Sequence, residues 1–256
     1  MANTVYANKV IEAKAKDLLT TKVNTRSLMT VDNSLVESAG MTKTINTYTY
    51  SGTAEELAAG AGNSVRGSVA YTPADYTVKL VQQVFDYQDE DFMKDPTIVD
   101  NGVAGATQTM TNKMTADFIA ECAKATLTIT KGANGISYEN IVDAISEINE
   151  EDESRLFVII PNDWKADLRK DEDYKTARMG EVVYNGQVGT VAGIPVIASK
   201  AATEAYVMSP EAVKLFIKKD VEVEQDRDKD TRTNSIYLRS AYLVALVDAT
   251  KICSIK

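Results

Sequence analysis

The sequence predicts an α+β fold, and three features of the chain carry that prediction. Residues 42–50 and 76–85 are rich in Thr, Tyr, Val and Ile and alternate in polarity, as strands do. Between residues 99 and 122, apolar side chains recur every three or four positions, which is typical of one face of a helix. Residues 214–223 and 235–255 alternate like strands again. The chain has 256 residues, 44% of them hydrophobic, so it can bury a sizeable core in one large domain or two smaller ones.

The first 40 residues are predicted to form an arm. A short amphipathic pattern covers residues 10–19, and a stretch rich in Thr, Asn and Ser follows up to residue 38. Such a segment becomes ordered by lying across another surface. Residues 1–30 contain five basic and two acidic side chains, whereas the whole chain carries a net charge of −9. The arm is therefore basic on an acidic protein.

A long loop separates the two predicted strands 42–50 and 76–85. Residues 51–72 contain four glycines together with several Ala and Ser. Loops of this length are uncommon inside compact domains and are usually functional or disordered. The sequence therefore predicts an extended hairpin that needs a partner surface.

One long helix is predicted after Asp95, which supplies an acidic cap before Pro96 and Thr97. It is expected to span about 27 residues, or ~40 Å. Its apolar stripe consists of Val99, Val103, Ala106, Met110, Met114, Phe118 and Cys122. We interpret this stripe as core packing, and no cofactor is needed to explain it.

The second half of the chain is predicted to contain a capped helix and several short strands. Ser137 with Asn140 has the pattern of a helix N-terminus and precedes an apolar face. The further predicted elements are a strand at 156–160, a helix at 164–170, a loop and hairpin at 174–188, strands at 191–198 and 205–208, and a loop at 224–234 between the two final strands.

The composition excludes several classes of function. The chain has no histidine, so the commonest general acid/base and metal ligand is missing. Cys122 and Cys253 match no metal or redox spacing and are predicted to be buried free thiols. The net charge of −9 disfavours sequence-independent DNA binding by the chain as a whole. We find no secretory leader pattern and no run of ~18 apolar residues, so we expect a soluble protein used inside the cell where it is made.

Two acidic clusters come nearest to a metal site. Asp226, Asp228 and Asp230 have the spacing of a calcium loop, but the glycine and the bidentate glutamate that such a loop requires are missing. We interpret this segment as a charged loop that forms ion pairs. The cluster at 86–91 precedes a helix start, and the helix dipole explains it. No phosphate-binding loop, nucleophile elbow or common triad is present, so no catalytic residue, cofactor or metal is predicted.

Four segments resemble one known family in the order in which they occur. Leu156–Trp164 (LFVIIPNDW) looks like a strand-to-helix entry into an axial domain, and Gly189–Ser199 (GTVAGIPVIAS) is similar to a "Gly…Gly-Ile-Pro-Val" strand. Asp220–Asp228 and Leu243–Ile255 resemble the final strands of a peripheral domain. The family is that of the major capsid proteins of tailed bacteriophages, which have the Hong Kong 97 fold. The resemblance covers nearly the whole chain.

The resemblance implies a Hong Kong 97-type fold with five regions. They are an N-terminal arm (1–40), an extended-loop hairpin (41–84), a peripheral domain with the spine helix (85–136), an axial domain (137–214) and C-terminal peripheral strands (215–256). The implied function is that of a structural subunit and not of an enzyme. Pentamers and hexamers would close into an icosahedral head around double-stranded DNA, without reading its sequence, in the cytoplasm of a host bacterium and then in the virion.

The resemblance also suggests which residues meet partners. The expected subunit-interface residues are Glu55, Glu56, Arg66, Asp226, Arg227, Asp228, Lys229 and Arg232. Lys9, Lys14 and Lys16 are expected to contact an acidic scaffold or genome phosphates. Residues 51–72 contain no lysine, so the isopeptide cross-link of some family members is not expected. The arm is too short to act as a scaffold, so a separate scaffolding protein or none is expected, together with portal and decoration proteins.

Two other classes of function remain open at this point. An encapsulin-like nanocompartment shares the fold but encloses enzymes, and its members tend to begin with a helix instead of an arm. A soluble enzyme with a carboxylate-based site is the more distant alternative. A stable monomer with turnover would favour the enzyme.

Overall fold

Two sheets and a separate two-stranded hairpin form the fold, which confirms the α+β prediction. The computed structural model describes residues 8–21, 25–36, 38–132, 135–177 and 189–256. Its α-helices are α1 (Asn8–Thr21), α2 (Asp89–Lys94), α3 (Ile98–Cys122), α4 (Tyr138–Ile148), α5 (Lys165–Lys170) and α6 (Glu172–Ala177). Its strands are β1 (Thr30–Asp32), β2 (Thr42–Ser51), β3 (Ser68–Thr77), β4 (Lys79–Gln88), β5 (Leu127–Ile129), β6 (Phe157–Pro161), β7 (Thr190–Val191), β8 (Ile194–Ser199), β9 (Ala205–Met208), β10 (Val213–Asp228), β11 (Thr233–Leu246) and β12 (Ile252–Ile255).

The first sheet has the strand order β1-β10-β11-β4. Its centre is the long antiparallel ribbon of β10 and β11, to which β4 adds in antiparallel and β1 in parallel orientation. One face of this sheet packs against α3 and α1, with Val103, Val223 and Leu238 in a shared apolar cluster. We call this the helix face and the opposite one the outer face.

The long helix α3 has 25 residues and begins at Ile98, three residues later than the predicted acidic cap. The carboxylate of Asp95 accepts hydrogen bonds from the Thr97 amide at 2.9 Å and the Thr97 hydroxyl at 2.6 Å. Asp95 therefore closes a turn before the helix, because the chain turns at Pro96 first. The predicted apolar stripe is buried along its whole length, from Val99 to Cys122, which confirms its interpretation as core packing.

The second sheet has the strand order β5-β12-β9-β6-β8-β7 and is covered by α4. Ser137 and Asn140 form a reciprocal capping box at the start of α4, which confirms the predicted helix start. Ile141 and Ile145 on α4 pack with Val158 of the central strand β6. A 3-10 turn at Asn162–Trp164 leads from β6 into α5, close to the predicted helix at 164–170.

Two predicted elements of this region are wrong in detail. The expected single strand at 191–198 is a β-hairpin, because Ala192 and Gly193 adopt positive φ angles of 50° and 81° and reverse the chain between β7 and β8. Part of the loop predicted from residue 174 belongs to α6. Residues 178–188 lie outside the described residues.

The C-terminus also departs from the prediction. The strand expected to run over 235–255 ends at Leu246, and Ile252–Ile255 enters the second sheet between β9 and β5. The carboxylate of Asp248 accepts a hydrogen bond from the Thr250 amide at 3.0 Å and opens a 3-10 turn that redirects the chain. Alternation continues on both sides of this turn, so the sequence reads as one strand. The last four strand residues therefore lie in a different sheet from β10 and β11, although the sequence grouped all of 215–256 together.

Candidate assembly surface

The extended hairpin consists of β2 and β3, which pair along their whole length from Thr42–Thr77 to Ser51–Ser68. The predicted strand at 76–85 does form strand, but its predicted pairing with 42–50 is wrong. Residues 79–88 form β4 and pair with β11 instead. The true partner was missed because residues 68–77 consist mostly of small and polar residues and contain Pro73, which disfavours a strand away from a sheet edge. The boundary proposed at residue 84 thus falls inside β4.

One face of the hairpin carries exposed apolar and aromatic side chains. Tyr50 is 62% exposed and lies opposite Val69, which is 49% exposed. Tyr71, two residues along β3 on the same face, is 68% exposed. A two-stranded ribbon is marginally stable in water unless one face is covered. The hairpin therefore presents a surface suited to burial against a partner.

The hairpin tip, residues 52–67, is closed by Glu55. Its carboxylate accepts hydrogen bonds from the Ser64 hydroxyl, from the Ser64 amide at 2.7 Å and from the Val65 amide at 3.2 Å. These hydrogen bonds lower the pKa of Glu55, and the one from the Ser64 hydroxyl has the largest effect. Glu55, predicted as an interface residue, therefore has a role inside its own loop, whereas Glu56 and Arg66 are exposed.

The base of the hairpin is anchored on the outer face of the first sheet. The Val78 amide donates a hydrogen bond to the Met41 carbonyl at 2.7 Å and closes the ribbon. Val78 and Ile45 join Phe216 and Leu243 in a buried cluster on that face. The hairpin therefore leaves from a fixed base, and its exposure increases toward the tip.

The second predicted interface lies on the β10–β11 ribbon and is largely strand, not loop. Only residues 229–232 connect β10 to β11, so Asp226, Arg227 and Asp228 belong to β10. The prediction of a loop at 224–234 is wrong because charged side chains alternate here on a solvated strand face.

Ion pairs in this ribbon form within the chain. The Arg227 guanidinium pairs with Asp89 in the first turn of α2, and the Asn234 side-chain amide donates to the same carboxylate at 2.8 Å. Arg232 pairs with Glu90 at 3.0 Å.

The turn beyond it is closed by Asp228, which accepts hydrogen bonds from the Asp230 amide at 2.9 Å and the Thr231 hydroxyl at 2.8 Å. Asp226 and Lys229 are exposed at this end of the ribbon. The segment therefore does form ion pairs, but those of Arg227 and Arg232 lie within the subunit, where they bind the ribbon to α2.

The predicted basic arm contains a helix that packs on its own chain. Ile11 and Ala15 of α1 are buried against α3 and β10. Lys14 pairs with Asp100 of α3, with 2.5 Å between Nζ and Oδ1. Lys9 is exposed, and the side chain of Lys16 lies outside the described residues. Of the three lysines, Lys14 thus already has an acidic partner in the subunit.

Asp117 in α3 is a buried carboxylate that sequence reasoning missed. Its Oδ1 accepts hydrogen bonds from Lys79 and Lys113, both at 2.9 Å, and its Oδ2 accepts one from Tyr242 at 3.0 Å. Burial opposes ionisation, but these three donors outweigh it and lower the pKa of Asp117. Burial and the adjacent carboxylate raise the pKa of Tyr242. The signal in the sequence was an acid three residues after Met114 and next to Phe118, on the buried stripe.

Comparisons with known proteins were made by sequence and by structure. No family model matches the chain. The major capsid protein of Staphylococcus phage phiMR11 is 26% identical over 244 residues, which cover 90% of this chain and 85% of that protein. The mature capsid of bacteriophage PhiM1 superposes with a TM-score of 0.68 and 14% identity, covering 90% of this chain and 86% of that chain. The chain has the Hong Kong 97 capsid fold. The predicted resemblance to phage major capsid proteins, in sequence and in fold, is thereby confirmed.

The same capsid fold occurs in a virus-like particle from Pyrococcus furiosus, with a TM-score of 0.67, 11% identity and coverage of 97% of this chain and 98% of that one. At this identity the likeness concerns the fold alone. The sequence relative is a phage major capsid protein. The nanocompartment alternative is therefore not better supported than the phage capsid.

No metal centre is found in the described ranges of the capsid fold. No group of three or more potential acidic or cysteine ligands is found there. An open groove of about 1150 Å³ lies beside the hairpin base and is lined by Ser34, Met41, Leu80 and Lys218 among others. None of the helices described has the length and apolarity needed to cross a membrane.

Proposed function

We propose that this chain is the shell-building subunit of a tailed-phage head, assembling through pentamers and hexamers into an icosahedral capsid around double-stranded DNA. The observation that carries the proposal is the hairpin of β2 and β3. Its aromatic face is exposed in the isolated subunit, while its base is packed firmly on the first sheet. A two-stranded ribbon whose base is packed and whose apolar face is exposed is suited to bind a neighbouring copy of the chain.

The proposed division of labour follows the regions of the capsid fold. The first sheet with α3 forms the peripheral domain, and the second sheet forms the axial domain at the capsomer centre. The hairpin spans Thr42–Thr77, and Glu56, Arg66, Asp226 and Lys229 remain the exposed candidates for contact between subunits. Lys9 and Lys16 remain candidates for contact with an acidic scaffold or with DNA.

The acidic bulk of the chain suits a container for DNA. A net charge of −9 keeps packaged phosphates from adhering to the wall, and it requires no base-specific contact. A separate scaffolding protein, a portal and decoration proteins are the proposed partners. Assembly in the host cytoplasm, incorporation into the virion and the absence of enzymatic activity belong to the same proposal.

Size-exclusion chromatography and negative-stain electron microscopy of the purified protein test the proposal. Closed shells, or pentamers and hexamers that form shells on concentration, are expected. Shells isolated from cells with protein cargo and no DNA would instead favour a nanocompartment. A monomer under every condition, including co-expression with a scaffolding protein, would overturn the proposal.

A further inference from the structure

On the β3 side, the joint between the hairpin and the first sheet is a single residue, whereas the β2 side is held by Lys218, which donates hydrogen bonds to the carbonyls of Ser38 and Gly40. β3 ends at Thr77 and β4 begins at Lys79, so Val78 alone separates the exposed ribbon from the sheet. The direction of the hairpin therefore depends on how the chain is held on either side of Val78.

On the sheet side, this joint is fastened to α3 through one carboxylate. Lys79 and Tyr242 are neighbours across β4 and β11, and both donate hydrogen bonds to Asp117. The side chain of Asp117 is only 7% exposed, whereas that of Lys79 is 52% exposed. The buried Asp117 side chain is thus held in place by its surroundings, and the more exposed Lys79 side chain extends to it.

The last turn of α3 and the residues just after it reach the hairpin side of the joint. Glu121 pairs with Lys124 at 2.7 Å, and its second carboxylate oxygen accepts a hydrogen bond from the Leu246 amide at 3.4 Å. Lys124 lies 5.3 Å from the ring centroid of Tyr76, whose hydroxyl donates to the Leu246 carbonyl at 3.3 Å. Residues on both sides of Val78 are therefore connected to α3 by side-chain contacts.

We infer that Asp117 is a positioning residue that fixes the angle at which the hairpin leaves the subunit. The inference rests on the proposed function, because a defined hairpin angle matters only if the ribbon must meet a neighbouring subunit. Lys79 connects Asp117 to β4 through its hydrogen bond to the carboxylate. Lys113, four residues before Asp117 on α3, stabilises the carboxylate without touching the hairpin.

The two lysines provide a matched pair of variants. Both donate to the same Asp117 oxygen at 2.9 Å, and their side chains are exposed to 52% and 53%. Lys79→Met and Lys113→Met therefore remove equivalent charge from Asp117. Only Lys79→Met removes a contact with the strand that leads into the hairpin.

The test measures the hairpin angle in the dilute full-length chain. Spin labels are placed on cysteines introduced at Glu56 on the tip and at Thr109 on α3, both exposed, while Cys122 and Cys253 are buried. Double electron–electron resonance then gives the distance distribution between them. We expect one narrow distribution in the parent and in Lys113→Met, and a distribution at least twice as wide in Lys79→Met and Asp117→Asn. Circular dichroism confirms that each variant is folded.

Equal distributions in all four proteins, or equal broadening by Lys79→Met and Lys113→Met, would overturn the inference, since Asp117 would then act on general stability alone. If Lys79→Met does not fold, Lys79→Gln replaces it, because it keeps a shorter polar side chain at the same place; Lys113→Gln and Asp117→Ser are the corresponding replacements at the other two positions. Shell yield is measured in parallel and is expected to fall at least tenfold in Lys79→Met and in Asp117→Asn, but not in Lys113→Met. Failure of the parent to form shells would count against the proposed function, whereas the distances test Asp117 independently.

Discussion

Gly102 in α3 lies directly against the ring of Phe85 in β4, so close that a Cβ atom at position 102 would overlap the ring. This contact is one of the points at which the long helix rests on the first sheet. A methyl group there would have to displace the half-buried Phe85 ring or push α3 away from β4.

Gly102→Ala is expected to destabilise the subunit by about 1–3 kcal/mol through overpacking. Equilibrium unfolding in urea, followed by circular dichroism, measures this loss. The helix offers a matched control in Gly105, which is exposed and has no atom within 4 Å of an added Cβ. Gly105→Ala is expected to stabilise the subunit by roughly 0.5–1 kcal/mol. Equal effects at the two positions would contradict the packing argument.

The two thiols are expected to be inert in the folded subunit. Cys122 and Cys253 are fully buried, and burial raises the pKa of both, that of Cys253 to about 11. Because the thiolate is the reactive species, an aromatic disulfide reagent should label neither residue at pH 8 within minutes. Both should react in guanidinium chloride. Rapid labelling of the native protein would show that the α3 core or the β12 strand opens readily.

The elements that could be predicted from the sequence are those in which local pattern and tertiary environment agree. The stripe from Val99 to Cys122 is apolar because it is buried along the whole length of α3. Its helical spacing is therefore clear in the sequence. The cap at Ser137 is a local hydrogen-bond pattern and needs no tertiary context. The capsid fold itself followed from the order of such elements.

The elements that were missed depend on partners distant in sequence. β3 has almost no buried residue, so its pairing with β2 leaves no apolar signal. β12 is separated from β11 by a turn of a few residues that only Asp248 marks. The ion pair of Arg227 joins residues 138 positions apart, and that of Asp117 with Lys79 joins residues 38 apart, so neither can be recognised from spacing.

The exposed aromatic face of the hairpin is expected to matter for assembly and not for the fold. Tyr71→Ser removes a side chain that is 68% exposed. The free energy of unfolding measured in urea should therefore change by less than about 0.5 kcal/mol. Shell formation, measured by light scattering and electron microscopy, should fall because apolar contact area with the neighbour is lost. Met93→Ser on α2, where the residue is 80% exposed, is the control and should leave assembly unchanged. Equal assembly of both variants with the parent would remove the hairpin face from the interface.

Low pH should reduce the free energy of unfolding of the subunit, in part because Asp117 becomes protonated. Its pKa is lowered in the folded state, so its contribution to stability is complete above the unfolded pKa of about 3.9 and is lost as the pH falls through the folded value. Asp117→Asn removes this contribution at every pH. The parent is therefore expected to be more stable than Asp117→Asn at pH 7 by about 2 kcal/mol, the size typical of hydrogen bonds to a buried charge. Urea unfolding of both proteins at a series of pH values from 7 to 3 should show the difference constant down to about pH 4 and shrinking below it. A difference that grew on acidification would mean that Asp117 is protonated in the folded subunit, and the ion pair with Lys79 would then have to be abandoned.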